Sequence, residues 1–412
     1  MSTDTILIIG AGLAGATAAE ELRTAGFDGT IQMLGAERHL PYLRPPLSKG
    51  YLLGKEDRDS VFVKPAEWYA ENDVEVDVAE GSRVASVDLA GHHVTLTDDR
   101  TLPYDRLLLA TGAQPRRLDV PGADARGIHY LRTLENSLEL KKALSDGGRR
   151  VVVIGAGWIG LELAAAARGY NNEVTVVGHG DTPLAAALGT ELGTMFKQLH
   201  EQNGVEFRMP AAANSFTVRD GAVVGVMTDA GELPADLVIV GAGATPDTVL
   251  AEAAGLEVDN GVLVDESLRS SDPDVFAAGD VANPFNAYLG ERLRSEHWAN
   301  AIDSGKVAAR SILGQPAALD VVPYFYTDQY DLGMEFAGYS PLLQDARVVY
   351  RGDREKREFV AFWLRGDRLV AGMNVNVWDV NDDIKALISG GRAVDAAKLA
   401  DPDAPLASAA GE

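Results

Sequence analysis

The residues best suited to chemistry in this chain are glycines. Gly10, Gly12, Ala14 and Gly15 lie in ILIIGAGLAG (Ile6–Gly15), and Gly155, Gly157, Ile159 and Gly160 lie in VVVIGAGWIG (Val151–Gly160). Each phrase follows an apolar β-branched run and opens a helix-forming stretch, the strand–turn–helix pattern G-x-G-x-x-G. The glycines let backbone approach a pyrophosphate, and the exposed N–H groups of the helix N-terminus hold its charge. A single copy could serve packing alone. Two copies, each in the same context, predict two dinucleotides on one polypeptide.

Other chemistry is excluded by composition. The sequence contains no cysteine. A redox-active disulfide, a thiolate nucleophile, a cysteine-ligated iron–sulfur cluster and a cysteine zinc site are therefore ruled out. With seven scattered His, no metal centre is expected, and redox work falls to an organic cofactor. The 37 basic and 61 acidic residues leave a net charge of −24, which disfavours nucleic acid and anionic membrane as partners. No uncharged apolar run approaches the roughly 18 residues of a membrane-helix candidate. MSTDTILIIG enters a strand without a basic region or a small-residue cleavage site, so a cytoplasmic protein is expected.

The elements that position the glycines repeat. The first unit reads as strand Thr5–Ile9, helix Leu13–Ala25 and strand Thr30–Leu34. A proline-rich shaped loop (Leu40–Gly50) follows, then short alternating stretches Val74–Val78, Val84–Asp88 and His93–Thr97 that suggest a small antiparallel sheet. Strand Tyr104–Ala113 ends in another glycine turn. The second unit reads as strand Val151–Ile154, helix Trp158–Arg168 and strand Glu173–Val177. Helix Thr190–Gln202 and strands Val205–Arg208, Ala222–Met227 and Leu237–Val240 complete it. GAGATPD (Gly241–Asp247), with Gly243, closes it as LATGAQP (Leu109–Pro115) closes the first, a third sign of duplication. Asp272–Ala282 reads as a strand running into Gly-Asp, and Glu291–Leu313 as largely helical. From Pro316 aromatic strands appear, Pro323–Tyr330, Phe359–Arg365 and Arg368–Val375, then a helix near Asp382–Ile388 and a mobile Ala/Asp/Pro tail.

Over nearly its whole length the chain resembles the FAD-dependent NAD(P)H:ferredoxin reductases that serve bacterial cytochrome P450s and ring-hydroxylating dioxygenases. These are the putidaredoxin reductase type within the pyridine nucleotide-disulfide reductase superfamily. The resemblance rests on Gly10–Gly15, PYLRPPLSK (Pro41–Lys49), LATGAQPRR (Leu109–Arg117), LRTLE (Leu131–Glu135) and GAGWIGLE (Gly155–Glu162). It continues through FAAGD (Phe276–Asp280), EHWANA (Glu296–Ala301) and FYTDQYD (Phe325–Asp331). It implies an α/β fold with two doubly wound Rossmann-like nucleotide-binding domains (glutathione-reductase-like), the second inserted into the first, plus a C-terminal α+β domain. Residues 1–113 and 242–315 would bind FAD, 114–241 would bind NADH or NADPH, and 316–412 would form the interface domain.

The same resemblance implies residue roles. The first glycine turn would bind FAD, with Glu37 as the ribose ligand, because Leu34-Gly35-Ala36-Glu37 lacks the acid at its usual place and Glu37 follows one or two positions later. Arg44, Val84, Thr111, Gly112, Arg132, Asp280, Trp298 and Ala299 match other FAD contacts. Lys49 would lie beside the flavin N5, paired with Glu162, where a cation stabilises reduced flavin. Tyr326 stands where relatives often carry Trp beside the flavin. The second turn would bind the nicotinamide dinucleotide. Its discriminating strand ends at Gly178-His179, neither an acid nor an Arg, so the choice between nucleotides is open and leans to NADH on resemblance alone. An iron–sulfur ferredoxin would be the acceptor, docking near Arg292, Arg294 and Arg310, with the reductase a monomer. Rubredoxin or quinone reductases of the same fold, and a low-turnover flavin-binding interaction protein, remain as alternatives.

Overall fold

The computed structural model describes residues 4–411, which fall into two compact units. The first comprises the chain up to Leu47, Glu56–Pro115 and Ala244–Val321. The second comprises Ser48–Lys55, Arg116–Gly243 and the chain from Val322 onward.

The first unit is built on a five-stranded parallel sheet. Its strand order is Val275–Ala277, Arg106–Leu109, Thr5–Ile9, Thr30–Leu34 and Val74–Asp77. Strand Thr5–Ile9 lies at its centre, with Leu7 and Ile8 wholly buried, as the unbroken apolar run requires of a strand covered on both faces. Helices Leu13–Thr24 and Trp298–Ile312 cross closely because Gly305 has no side chain. A Cβ there would stand 2.7 Å from the Ala14 carbonyl oxygen.

The second unit repeats this plan. Its parallel sheet runs Val205–Arg208, Glu173–Val177, Arg150–Ile154, Leu237–Val240 and Ile128–Tyr130. Each unit also carries a three-stranded antiparallel sheet: Val84–Asp88, His93–Leu96 and Thr101–Pro103 in one, and Ala213–Arg219, Ala222–Thr228 and Gly231–Pro234 in the other. The duplication expected from the glycine phrases therefore extends to strand order.

The second unit also contains a five-stranded antiparallel sheet, ordered Tyr324–Gln329, Leu332–Gly338, Arg368–Val375, Glu358–Arg365 and Arg347–Asp353. Helix Asn381–Gly390 lies against it where Gly372 leaves room for Ile384. The overall class is the expected α/β. Among the described residues no helix is long and apolar enough to cross a membrane.

Several element boundaries differ from expectation. Val74–Asp77 joins the parallel sheet rather than the small antiparallel one. Its alternating pattern arises because it is an edge strand, covered on one side only. The proline-rich loop contains a 3₁₀ turn, Pro45–Ser48. The stretch Tyr104–Ala113 is strand over Arg106–Leu109, and a second short strand begins at Ala113. The helix expected from Glu291 begins at Trp298.

The C-terminal tail is packed, not mobile. Helix Ala396–Ala400 is capped by Asp395, and Leu399 and Leu406 are buried. Val394 bridges Ala410, and Arg351 Nη2 donates to the Pro402 carbonyl at 2.9 Å. Leu399→Ala is accordingly expected to cost about 2–5 kcal/mol of stability, read by urea or thermal unfolding. A mobile tail would show no change.

Candidate functional site

In the first unit the strand Thr5–Ile9 delivers Gly10 into a turn that only glycine can make. Gly10 has φ +120°, and a Cβ there would collide with the Ala110 carbonyl oxygen. Gly15 sits one helical turn on, where a Cβ would strike the Gly10 carbonyl. Gly12 faces open space, with no atom within 4 Å of a Cβ built on it. The helix it opens has no side-chain cap and no acidic residue in its first turn. Its leading N–H groups are thus open to an anion, and the cradle fits a dinucleotide pyrophosphate. Ala14 is buried on that helix.

The second unit reproduces each feature. Gly155 has φ +111° and meets the Gly241 carbonyl, while Gly160 meets the Gly155 carbonyl. Gly157 faces open space, and its helix, Trp158–Gly169, likewise lacks a side-chain cap and an early acid. Ile159 is exposed beside it, and Gly243 lies past the strand Leu237–Val240 with φ +92°.

The unusual glycines at the ends of the second strands have a shared cause. A Cβ on Gly35 would stand 2.9 Å from Ala11 Cβ, and one on Gly178 would stand 3.0 Å from Ala156 Cβ. Both positions are tight against the alanine of the G-A-G turn, so neither strand end has room for an acidic side chain. His179 is exposed next to Gly178.

The other first-unit candidates gather as follows. Arg44 Nη2 donates to Glu37 Oε1 at 2.7 Å, and the Tyr42 hydroxyl donates to the same carboxylate. Burial opposes the charge on Arg44, but Tyr42, Glu37 and Asp280 outweigh it and raise its pKa. Glu37, Arg44 and Asp280 thus form one electrostatic group, with Asp280 buried in the 3₁₀ turn Gly279–Val281. Val84 is buried at the start of its strand. Thr111 Oγ1 donates to the Asp247 carbonyl at 2.7 Å, next to Gly112 with φ +74°. Trp298 is exposed at the first position of its helix, and Ala299 is half-buried. Arg132 belongs to the second unit, just before the capping box Thr133/Asn136.

The docking candidates carry internal bonds. Arg292 Nη1 donates to the carbonyls of Val264 and Asn283, Arg294 pairs with Glu296 at 2.7 Å, and Arg310 pairs with Glu21 at 2.7 Å.

Lys49, Glu162 and Tyr326 come together in the second unit. Glu162 is 4% exposed and forms an ion pair with Lys49. Its carboxylate also accepts from Ser48 Oγ at 2.5 Å and from Thr327 Oγ1 at 2.6 Å. The Lys49 ammonium lies 5.6 Å from the Tyr326 ring centroid, a cation–π distance.

This constellation follows from matched periodicities. Trp158 and Glu162 are one helical turn apart, and Phe325 and Thr327 share one face of a strand, so both pairs span about 6 Å. Trp158 packs on Phe325 with centroids 5.0 Å apart, which brings Glu162 to Thr327. The segment bearing Ser48 and Lys49 is anchored by buried Leu52, whose carbonyl accepts from the Tyr170 hydroxyl at 2.7 Å.

Sequence reasoning missed Ser48, Thr327, Gln329 and His200. The first three lie inside quoted motifs, where strand alternation past Tyr326 could have singled out Thr327 and Gln329. His200 carries no local signal. Burial pushes its imidazole pKa down to about 4, partly opposed by its bond to Gln329. The unfolded chain titrates near 6.5 and takes up a proton that the native state refuses. Stability present above pH 6.5 is therefore expected to fall as pH drops to about 4. His200→Gln should flatten that part of a Tm-against-pH curve.

Residues 4–305 match the family described as pyridine nucleotide-disulphide oxidoreductase, and residues 324–410 match a reductase C-terminal domain. This chain belongs to the pyridine nucleotide-disulphide oxidoreductase family. It is 40% identical over 407 residues to the anthranilate 1,2-dioxygenase system ferredoxin–NAD(+) reductase component of Burkholderia cepacia, covering 98% of this chain and 99% of that one. The ferredoxin reductase for the CYP199A2 system from Rhodopseudomonas palustris superposes with TM-score 0.94 at 35% identity, covering 99% and 100% of the two chains. The reductase in a covalent putidaredoxin reductase–putidaredoxin complex superposes with TM-score 0.93 at 34% identity, covering 99% of each.

Proposed function

We propose that this protein is a flavoprotein ferredoxin–NAD(P)(+) reductase whose first unit binds FAD and whose second unit binds the nicotinamide nucleotide. The acceptor is an iron–sulfur ferredoxin that supplies a cytochrome P450 or dioxygenase. The observation that carries this reading is the cysteine-free sequence in a family described by its disulphide chemistry. With no protein thiol to receive electrons, they must leave the flavin directly.

When bound, FAD accepts a hydride from the nicotinamide and releases electrons one at a time. The chain supplies binding, orientation and charge. The uncapped helix that follows Gly12 holds one pyrophosphate, and the one that follows Gly157 holds the other. Glu37, Arg44 and Asp280 form the polar group of the FAD unit, with Glu37 as the ribose ligand. Lys49 presents a positive charge fixed by Glu162, Ser48 and Thr327, so that negative charge forming nearby meets a preorganised cation. Tyr326 walls that cation on one side.

NADH is the favoured donor in this reading, because the turn Gly178-His179-Gly180-Asp181 offers a 2′-phosphate no Lys or Arg. A cytoplasmic site of action fits the NAD(P)H donor. The test is anaerobic stopped-flow reduction with NADH and NADPH in parallel. Rapid bleaching of the flavin, faster with NADH, is expected. A flavin that neither nucleotide bleaches would contradict the reading.

A further inference from the structure

Behind Glu162 four side chains run in single file away from Lys49. Thr327 Oγ1 donates to Glu162 Oε1 at 2.6 Å, and Gln329 Nε2 donates to Thr327 Oγ1 at 3.1 Å. Gln329 Oε1 lies 2.8 Å from His200 Nε2, and the Tyr330 hydroxyl lies 3.3 Å from His200 Nδ1. Thr327, Gln329 and His200 are fully enclosed, while Tyr330 is 37% exposed and reaches solvent.

The carboxylate at one end fixes the direction of every bond. A carboxylate only accepts, so the single Thr327 hydroxyl hydrogen points to Glu162. Thr327 then accepts from the Gln329 amide nitrogen, which turns the Gln329 carbonyl toward His200. His200 must in turn carry its proton on Nε2, leaving Nδ1 to accept from Tyr330. All four hydrogens point toward Glu162 and stabilise its charge, and the low-polarity surroundings strengthen each bond. The surroundings of the imidazole are aromatic: Phe207 lies 6.1 Å away and Tyr330 5.1 Å away, centroid to centroid. With its pKa held near 4, the ring is neutral at pH 7 and must adopt one tautomer.

We propose that His200 is a positioning residue for the Lys49–Glu162 pair, acting through Gln329 and Thr327. The inference rests on the reading of that pair as the group that faces the flavin. Without a donor at residue 200, the Gln329 carbonyl is left unpaired in a dry site and the amide turns to recover a partner. Thr327 then loses the donor that holds its hydroxyl hydrogen on Glu162, and the carboxylate no longer holds Lys49 in one place. A merely structural histidine would have a tautomer indifferent to residue 162.

The test uses the FAD-loaded protein labelled with 15N-histidine, with the signals of His200 assigned by their loss in His200→Gln. The wild type is expected to show the Nε2–H tautomer alone. Glu162→Gln, which places a donor at the end of the chain, is expected to populate the Nδ1–H tautomer to a measurable fraction. In stopped flow, His200→Leu should slow flavin reduction by about 10-fold, equivalent to one lost hydrogen bond. His200→Gln keeps an N–H for Gln329 and should stay within about 2-fold. An Nδ1–H tautomer in the wild type, or a tautomer unmoved by Glu162→Gln, would overturn the proposal, as would equal slowing in the Leu and Gln variants. If Lys49→Met leaves flavin reduction unchanged, the reading of the pair fails, while the tautomer result still decides the chain behind it.

Discussion

Gly10→Ala will give a protein that does not retain FAD, whereas Gly155→Ala will stay yellow but lose rapid reduction by NAD(P)H. The two positions are equivalent in the two units, with φ +120° and +111°. Alanine pays a conformational penalty of about 1 kcal/mol or more in such a backbone. The larger effect is steric. A Cβ at residue 10 falls on the Ala110 carbonyl oxygen and one at residue 155 on the Gly241 carbonyl oxygen. Backbone on a neighbouring strand cannot rotate aside, so the turn must open and the helix N-terminus moves off its phosphate position. Displacements of about 1 Å can cost about 10²-fold in rate, and Gly155→Ala is expected to slow flavin reduction by at least that. The ratio of flavin to protein absorbance reads the first variant, and stopped-flow reduction reads the second. Full flavin content in Gly10→Ala would remove FAD from the first turn.

The second large effect concerns the ion pair. Lys49→Met should slow flavin reduction by about 10²-fold, the usual cost of one preorganised electrostatic contact, and should also lower the Tm, because it leaves the buried Glu162 carboxylate with only the Ser48 and Thr327 hydroxyls. Glu162→Leu should do both kinds of harm. It leaves Lys49, Ser48 and Thr327 without their common acceptor, and breaking a buried pair from one side costs about 3–5 kcal/mol. A Tm depressed by several degrees, together with slowed reduction, is the expected result. Glu162→Leu at full rate and wild-type Tm would show that the carboxylate does not hold Lys49.

The glycine turns were legible because their requirement is local. A strand, a positive φ and an uncapped helix leave their marks within ten residues, and the duplicated sheets followed from them. Edge position was not legible: Val74–Asp77 alternates as a half-buried strand does in either kind of sheet, and only its neighbour Thr30–Leu34 decides. The packed tail was hidden for a similar reason. Leu399 and Leu406 are single apolar residues among Ala, Asp and Pro, buried by contacts that no local period announces. The partners of Glu162 divide the same way. Ser48 and Lys49 adjoin in a motif, and Thr327 and Gln329 alternate on a strand. His200, however, meets Gln329 across 129 residues of chain, and on its own helix it reads as one more core position.

Both strand ends lack an acid, and the structure shows why a side chain there would be crowded. Gly35 and Gly178 each leave space for an alanine of the phosphate turn. In the first unit the nearest acid after Gly35 is Glu37, which accepts from Arg44 and Tyr42.

The most direct test of the central claim is cytochrome c reduction by the FAD-loaded protein with NADH, with and without a cysteine-ligated iron–sulfur ferredoxin. Electrons that leave the flavin one at a time for such a partner predict rapid reduction only when the ferredoxin is present. The same rate without ferredoxin, or none with it, would contradict the account.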